Sequence, residues 1–219
     1  MTDRPNILMV ILDATRADSC SCYGLERPTT PHLDRLAAQG VLYEQAISAA
    51  PWTLPAIFSL LTGRYPSQSE VYQTRRVGED IPTLAEILAA SGYATFGISG
   101  NSWLSSDFGM PRGFQTFHKL WQKIQVEDDI TQVNVREFAP GDGLKRAAIR
   151  RMLQGNTFAN VFNYLYYRFV QRQDHGARRT LPPLKRWVAE QKEGQPWFAF
   201  AHFLEAHLEN RPPLAWLDR

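Results

Sequence analysis

The sequence predicts an α/β fold in which a mostly parallel central sheet carries helices on both faces. Two observations lead to this prediction. Short apolar runs of strand character alternate along the chain with segments of helical periodicity. Helix-capping residues and glycines, rather than two-residue hairpin turns, separate these segments. Strands joined through helices pair in parallel. The 219 residues suffice for one sizeable domain, 1–219, and are too few for two.

Continuous apolar runs identify the strands. Residues 6–12, 93–99 and 197–203 are each predicted to form a strand that is buried on both faces, because they lack the alternation of a half-exposed strand. Residues 41–48 are also strand-like. The last of the three buried runs follows a long irregular segment, so the α/β pattern is interrupted and then resumes.

Capping residues and glycines identify the helices. The predicted helices span 31–40, 53–63, 83–92 and 184–191. Pro31 opens the first, and Gly40 ends it. Thr53 is expected at the N-cap of the second helix, with Pro55 in its first turn, where a proline is tolerated. Thr83 is expected to cap the third.

The middle of the chain, residues 120–178, lacks clean strand signals and is predicted to be a helical insertion or lid within the domain. Basic residues interleave with aromatic ones over 145–179. This stretch is predicted either to contact an anionic membrane surface or a nucleic acid, or to be a solvated helix face over an aromatic core.

Composition excludes several classes of protein. Apolar types make up 44% of the chain and charged types 21%, which is ordinary for a folded globular protein and argues against disorder. The net charge of +2 gives no reason to expect nucleic-acid binding. The absence of a signal-like segment and of a long apolar run leads us to expect a cytoplasmic protein. Cys20 and Cys22 are more readily explained as structural residues than as a soft-metal site.

Polar side chains follow three of the predicted strands, where ligands bind in open parallel sheets. They are Asp13, Asn101 and the pair Glu205 and His207. Thr53 adds a hydroxyl at a helix N-terminus, which favours an anion. Each of these residues alone is commonly a turn, cap or solvated loop residue. Together they suit a divalent metal and an anionic substrate.

Five ordered motifs resemble the sulfatase branch of the alkaline phosphatase superfamily. They cover roughly residues 4–117 and 180–213. The motifs are Arg4-Pro5-Asn6-Ile7 leading to Asp13 and Cys22-Tyr23-Gly24; Thr30-Pro31-His32-Leu33-Asp34; Ala50-Pro51-Trp52-Thr53-Leu54-Pro55 through Thr62-Gly63-Arg64; Gly92-Tyr93 through Asn101-Ser102-Trp103 and Arg112-Gly113-Phe114; and His202-Phe203-Leu204-Glu205-Ala206-His207.

The resemblance implies roles for four residues. Asp13 matches a metal-binding aspartate, and Thr53 matches the position of the nucleophile, which also binds the metal. His207 matches a histidine that contacts the anionic group of the substrate. Asn101 stands where many sulfatases have a lysine that faces this group, and is expected to donate a hydrogen bond to it. The expected substrate is an anionic sulfate or phosphate ester.

The sequence also departs from the family. Sulfatases carry a cysteine or serine that is oxidised to formylglycine, whereas Thr53 has a β-methyl group that prevents an aldehyde from forming, so no formylglycine is expected. Ile57 replaces the arginine of the oxidation motif, and Ala14 replaces the second aspartate of the opening pair. The chain thus resembles members that use threonine directly on phosphate esters with a divalent ion (Ca, Mn, Mg or Zn).

The family's second metal-ligand pair has no clear counterpart. Asp174-His175 has the right residue types but precedes the His207 motif, whereas in the family the pair follows it. We therefore expect the chain to be the N-terminal part of such an enzyme, with the core incomplete at its C-terminal end. The alternative is a truncated, non-catalytic domain that binds anions, a membrane surface or a partner subunit.

Overall fold

The computed structural model describes residues 4–127, 153, 155–169, 177–204 and 207. Four strands form one parallel sheet: β1 (Ile7–Leu12), β2 (Ala94–Ser99), β3 (Thr116–Lys119) and β4 (Trp197–Phe203). Their order in the sheet is β1-β4-β2-β3, so the last strand in sequence lies between the first two. The predicted α/β fold with a mostly parallel sheet is confirmed.

Within the described residues, six α-helices accompany the sheet. They are α1 (Pro31–Gln39), α2 (Thr53–Thr62), α3 (Val71–Thr74), α4 (Leu84–Ala90), α5 (Thr157–Phe169) and α6 (Ala177–Ala189). Pro31 and Gly40 bound α1 as predicted. The helix α6 begins before the predicted start at Leu184 and includes Pro182 and Pro183. No helix in the described ranges is long and apolar enough to cross a membrane.

Each face of the sheet has its own core. On one face, Leu54 and Phe58 of α2 pack in a cluster with Phe198 and Phe200 of β4. On the other face, α6 covers β2 and β4, and Trp187 stacks on Phe96 with 5.0 Å between the ring centroids. The central strands β2 and β4 are therefore buried on both sides, as the sequence predicts.

The strand β1 lies at the edge of the sheet and is only half covered. Ile7, Met9 and Ile11 pack against the first core, whereas Leu8, Val10 and Leu12 on the opposite face are 41–51% exposed. The prediction that β1 is buried on both faces is therefore wrong. Its side chains are apolar on both faces, but within the described residues α6 packs mainly on β2 and β4.

Three other local predictions differ from the structure. Residues 41–48 form no strand, because they lie in turns and extended chain outside the sheet. Thr53 is the first residue of α2 rather than its N-cap, a position that Trp52 occupies. The edge strand β3 was not predicted.

Helix α5 lies within the predicted insertion, 120–178. Much of that segment falls outside the described residues, so its function as a lid stays a prediction.

A capping box fixes α4 against the turn that leads into β3. Thr83 Oγ1 accepts a hydrogen bond from the Glu86 N–H (3.1 Å), and Glu86 Oε2 accepts one from the Thr83 N–H (2.8 Å). The same Thr83 hydroxyl donates to the Arg112 carbonyl at 2.9 Å. The backbone of Gly113 consequently lies so close to α4 that an added Cβ would stand 2.1 Å from the Glu86 nitrogen.

We predict that Gly113→Ala destabilises the protein far more than Gly63→Ala. Both glycines have a positive φ (83° and 67°), which costs an alanine about 1–2 kcal/mol. Only Gly113 lacks room, because nothing lies within 4 Å of a Cβ at Gly63. Forcing α4 away should add roughly 1–3 kcal/mol at Gly113. Urea unfolding of both variants measures the difference, and equal losses would contradict the close approach.

Candidate active site

The sheet register brings polar side chains together at the carboxyl ends of the strands. His202 on β4 pairs with Ile11 on β1 and with Ser99 on β2. Asp13 follows β1 directly, and its backbone N–H extends the ladder by donating to the Phe203 carbonyl at 2.9 Å. The chain then turns at once, because Ala14 adopts the left-handed conformation with φ 55°. This turn leaves the Asp13 carboxylate at the carboxyl end of the sheet.

Helix α2 directs its N-terminus at this carboxylate. Thr53 is the first helical residue, and its Oγ1 lies 3.2 Å from Asp13 Oδ2, to which it donates. The N–H groups of the first helical turn have no partner within the helix, so together with the helix dipole they favour an anion in front of Thr53. The apolar residues Leu54 and Phe58 anchor the helix in the core and hold this end in place.

Asn101 completes the polar cluster from the loop after β2. Its Oδ1 accepts a hydrogen bond from the Trp103 N–H at 3.0 Å, which fixes the orientation of the amide. The Nδ2 group therefore faces the site, 3.4 Å from Thr53 Oγ1 and 3.5 Å from Asp13 Oδ2. Asn101 is 8% exposed, and its two amide protons are shared between Thr53 Oγ1 and Asp13 Oδ2, so donation to an anion at Thr53 takes the place of one of these long contacts.

His207 lies on the turn after β4, where its N–H donates to the Leu204 carbonyl at 3.0 Å. The contact of His207 with the anionic group of a substrate stays a prediction. Glu205 and the pair Asp174-His175 fall outside the described residues. The structure thus brings Asp13, Thr53 and Asn101 into direct contact.

Two residues of the cluster have no role in the sequence-based prediction. His202 is 1% exposed, with Nε2 at 3.4 Å from Asp13 Oδ2 and Nδ1 at 3.1 Å from Ser99 Oγ. Ser99 is fully buried and accepts a hydrogen bond from the Asn101 N–H at 2.9 Å. The available signal was a histidine within the otherwise apolar strand β4 and a serine at the end of β2, because a buried polar group needs a partner.

The electrostatics of the cluster favour an ionised Asp13. Burial by itself raises the pKa of the Asp13 carboxyl, since a buried charge loses its hydration. The adjacent His202 opposes this, as do the Thr53 hydroxyl and the charge of His207, and together they lower the pKa below its ordinary value of 3.8. Asp13 is therefore a carboxylate at neutral pH.

The donor atoms at this site fit part of a coordination sphere for a divalent metal. Asp13 and Thr53 provide a carboxylate and a hydroxyl oxygen, which are ligands that hard and borderline divalent ions accept. The described residues contain no group of three or more His, Cys, Asp or Glu side chains that could hold a metal ion. Asp13 and Thr53 thus supply two oxygen donors, which are fewer than a divalent ion takes.

The chain belongs to the Sulfatase family, whose model matches residues 5–215. Its resemblance to the sulfatase branch of the alkaline phosphatase superfamily is thereby confirmed. Mouse steryl-sulfatase is 39% identical over 154 residues, which cover 64% of this chain and 24% of the mouse protein. The chain therefore spans about a quarter of the length of this relative.

Solved structures share the fold at lower identity. A Bacteroides thetaiotaomicron protein from a study of glycosaminoglycan metabolism is 21% identical with a TM-score of 0.66, covering 98% of this chain and 54% of that one. The periplasmic domain of EptC from Escherichia coli, in complex with Zn, is 16% identical (TM-score 0.55; 98% and 48%). The phosphonate monoester hydrolase of Agrobacterium radiobacter is 20% identical (TM-score 0.52; 93% and 41%).

The pH dependence of stability should change when Asp13 is replaced by asparagine. Because the folded-state pKa lies below 3.8, the carboxylate contributes stability above that pH and loses it as the pH falls through the lowered folded pKa. We expect the free energy of unfolding of the wild type, relative to Asp13→Asn, to decrease below about pH 4. Urea unfolding from pH 6 to pH 2.5 in chelator measures this, and a constant difference would contradict the lowered pKa.

Proposed function

We propose that the protein is a metal-dependent ester hydrolase in which Thr53 is the nucleophile, and that its substrates are phosphate esters in preference to sulfate esters. The observation that carries this proposal is the position of the Thr53 hydroxyl. It stands at the N-terminus of α2, 3.2 Å from Asp13 Oδ2 and 3.4 Å from Asn101 Nδ2. A hydroxyl, a carboxylate and an amide donor thus converge where an anion is stabilised.

The residues divide the reaction between them. The N-terminal N–H groups of α2 and the Asn101 amide hold the anionic group of the ester. Thr53 Oγ forms a bond to phosphorus as the ester P–O bond breaks, and the alcohol leaves with a proton. Water then attacks the phospho-threonine, which releases inorganic phosphate and restores the hydroxyl. His207 is proposed to contact the anionic group from the turn after β4.

A divalent metal fits beside the nucleophile. Asp13 and Thr53 would hold it, since they supply the oxygen donors of the cluster and Asp13 is ionised at neutral pH. When bound, the metal lowers the pKa of a coordinated hydroxyl and neutralises charge on the transferred group. The Zn-bound solved structure shares the fold, which supports a divalent ion without fixing its identity.

The preference for phosphate over sulfate rests on Thr53, which stands where sulfatases carry the formylglycine precursor and which resembles the threonine of members acting on phosphate esters. Because Thr53 cannot form the aldehyde of formylglycine, its ester intermediate is released by attack of water on the transferred group. The curated relatives carry sulfatase names, as mouse steryl-sulfatase does, whereas a phosphonate monoester hydrolase shares the fold. Both sulfate and phosphate esters therefore belong in the first substrate panel.

A second candidate is a non-catalytic domain that binds anions or a partner subunit. The exposed face of β1 favours it, since Leu8, Val10 and Leu12 form an apolar row at a sheet edge that proteins normally cover. This candidate predicts binding of inorganic phosphate without turnover of any ester. Contact of residues 145–179 with an anionic membrane surface stays a prediction, because part of that segment lies outside the described residues.

We predict that Thr53→Ala in the full-length protein lowers ester hydrolysis by at least about 10³-fold, because the covalent step is lost. Thr62→Ala is the matched control. Thr62 is at the other end of α2, where its hydroxyl donates to the Phe58 carbonyl and does not reach the site. Rates with p-nitrophenyl phosphate, bis(p-nitrophenyl) phosphate and p-nitrophenyl sulfate measure the effect, and mass spectrometry of acid-quenched enzyme detects the phospho-threonine.

Two outcomes would contradict the proposal. Turnover that survives Thr53→Ala would remove Thr53 from the role of nucleophile. Turnover that survives exhaustive chelation would exclude a role for a metal in the reaction. If the wild type binds phosphate but cleaves none of the esters, with or without added Mn²⁺ or Zn²⁺, the non-catalytic candidate is supported instead.

A further inference from the structure

The imidazole of His202 lies beneath Asp13 inside the sheet, and no role has so far been assigned to it. It is buried between β1 and β2, and Phe200 lies nearly parallel to it with 6.4 Å between the ring centroids. Nδ1 contacts Ser99 Oγ at 3.1 Å. Nε2 has no aligned hydrogen-bond partner among the described residues, and its nearest carboxylate oxygen is Asp13 Oδ2 at 3.4 Å.

The hydrogen bonds of Ser99 determine which nitrogen of His202 carries the proton. Ser99 Oγ already accepts the N–H of Asn101 at 2.9 Å. Its own proton can go to His202 Nδ1 at 3.1 Å or to the Asn101 carbonyl at 3.5 Å, and the shorter contact is the better hydrogen bond. Nδ1 is then an acceptor, so the proton of the neutral ring is on Nε2 and faces Asp13.

The contacts of Asp13 are all on one of its oxygens. Thr53 Oγ1, Asn101 Nδ2 and His202 Nε2 lie at 3.2, 3.5 and 3.4 Å from Oδ2. Among the residues that the structure describes, none makes a hydrogen bond to Oδ1. Of the three groups around Oδ2, His202 alone is fully buried and held by two neighbouring strands, so it is the most rigid of them.

We propose that His202 is a positioning residue for Asp13. Its protonated Nε2 lies 3.4 Å from Oδ2 and holds that oxygen on the protein side by electrostatic attraction rather than by an aligned hydrogen bond, and Ser99 keeps the ring in the tautomer that this requires. The carboxylate is thereby presented to the metal in one orientation. This inference rests on the proposed function, because it concerns the metal that Asp13 and Thr53 would hold. Outer-shell groups of this kind typically change metal affinity by about 10–100-fold.

Two variants distinguish the roles of the two ring nitrogens of His202. In His202→Gln the side-chain amide nitrogen stands near the position of Nε2 and can still donate to Asp13. In His202→Asn the amide oxygen can stand near Nδ1 and accept from the Ser99 hydroxyl, so that contact is kept, while the donor to Asp13 is lost. We expect His202→Asn to weaken Mn²⁺ binding by about 10–100-fold and His202→Gln to stay within about threefold of the wild type.

The measurement is the Mn²⁺ dissociation constant of the full-length, chelator-treated protein, obtained by electron paramagnetic resonance titration without substrate. Thermal unfolding of each variant runs in parallel. A histidine with only a structural role would lower the midpoint of unfolding in both variants and leave their Mn²⁺ affinities equal, which would overturn the inference. Ser99→Ala gives an independent test if His202→Asn does not fold, with a loss of affinity between those of the two histidine variants expected.

Mn²⁺ binding and ester cleavage by the wild type distinguish failure of this inference from failure of the proposed function. If the wild type binds Mn²⁺ and cleaves esters but His202→Asn and Ser99→Ala bind Mn²⁺ as tightly, only the role of His202 is overturned. If the wild type neither binds Mn²⁺ nor cleaves esters, the proposed function fails and the inference fails with it.

Discussion

The parallel pairing of β4 between β1 and β2 determines where every candidate catalytic side chain lies. Because of this order, the residues that follow β1 and β2 lie beside the carboxyl end of β4. The strands are joined through helices, so one of those helices, α2, can point its N-terminus at the same edge. The strand register thus sets the separation of Asp13 and Asn101, and the packing of α2 on the sheet brings Thr53 to them, although 40 and 48 residues separate Thr53 from the two along the chain.

The sequence predicted the place of polar residues at strand ends in the site, whereas it did not predict the role of a polar residue inside a strand. Asp13 and Asn101 stand where apolar runs stop, so local pattern alone marks them, and the family motifs marked Thr53 and His207. The role of His202 depends on its contact with Ser99, which is 103 residues away in sequence. That contact depends on a strand register that no local pattern reveals. The exposure of β1 escaped prediction for a related reason: an apolar run is the same in an edge strand as in a central one.

The cluster is built almost wholly on rigid, apolar surroundings. Buried polar groups are costly unless each finds a partner, and in a low-dielectric interior their mutual hydrogen bonds are strengthened. Ser99, Asn101 and His202 satisfy this demand largely among themselves, and the aromatic residues of β4 exclude water beneath them. The side chains of the candidate site consequently rest on regular secondary structure rather than on loops alone, which is how proteins hold reacting groups in fixed positions.

The backbone at Ala14 suits a residue other than the one present. With φ at 55°, Ala14 occupies a left-handed conformation that is unfavourable for alanine and more readily adopted by aspartate. The sulfatase opening that the sequence resembles has an aspartate at this position. A second carboxylate placed here would therefore stand beside Asp13 without adding backbone strain, so the turn that aims Asp13 could also accommodate a further oxygen ligand.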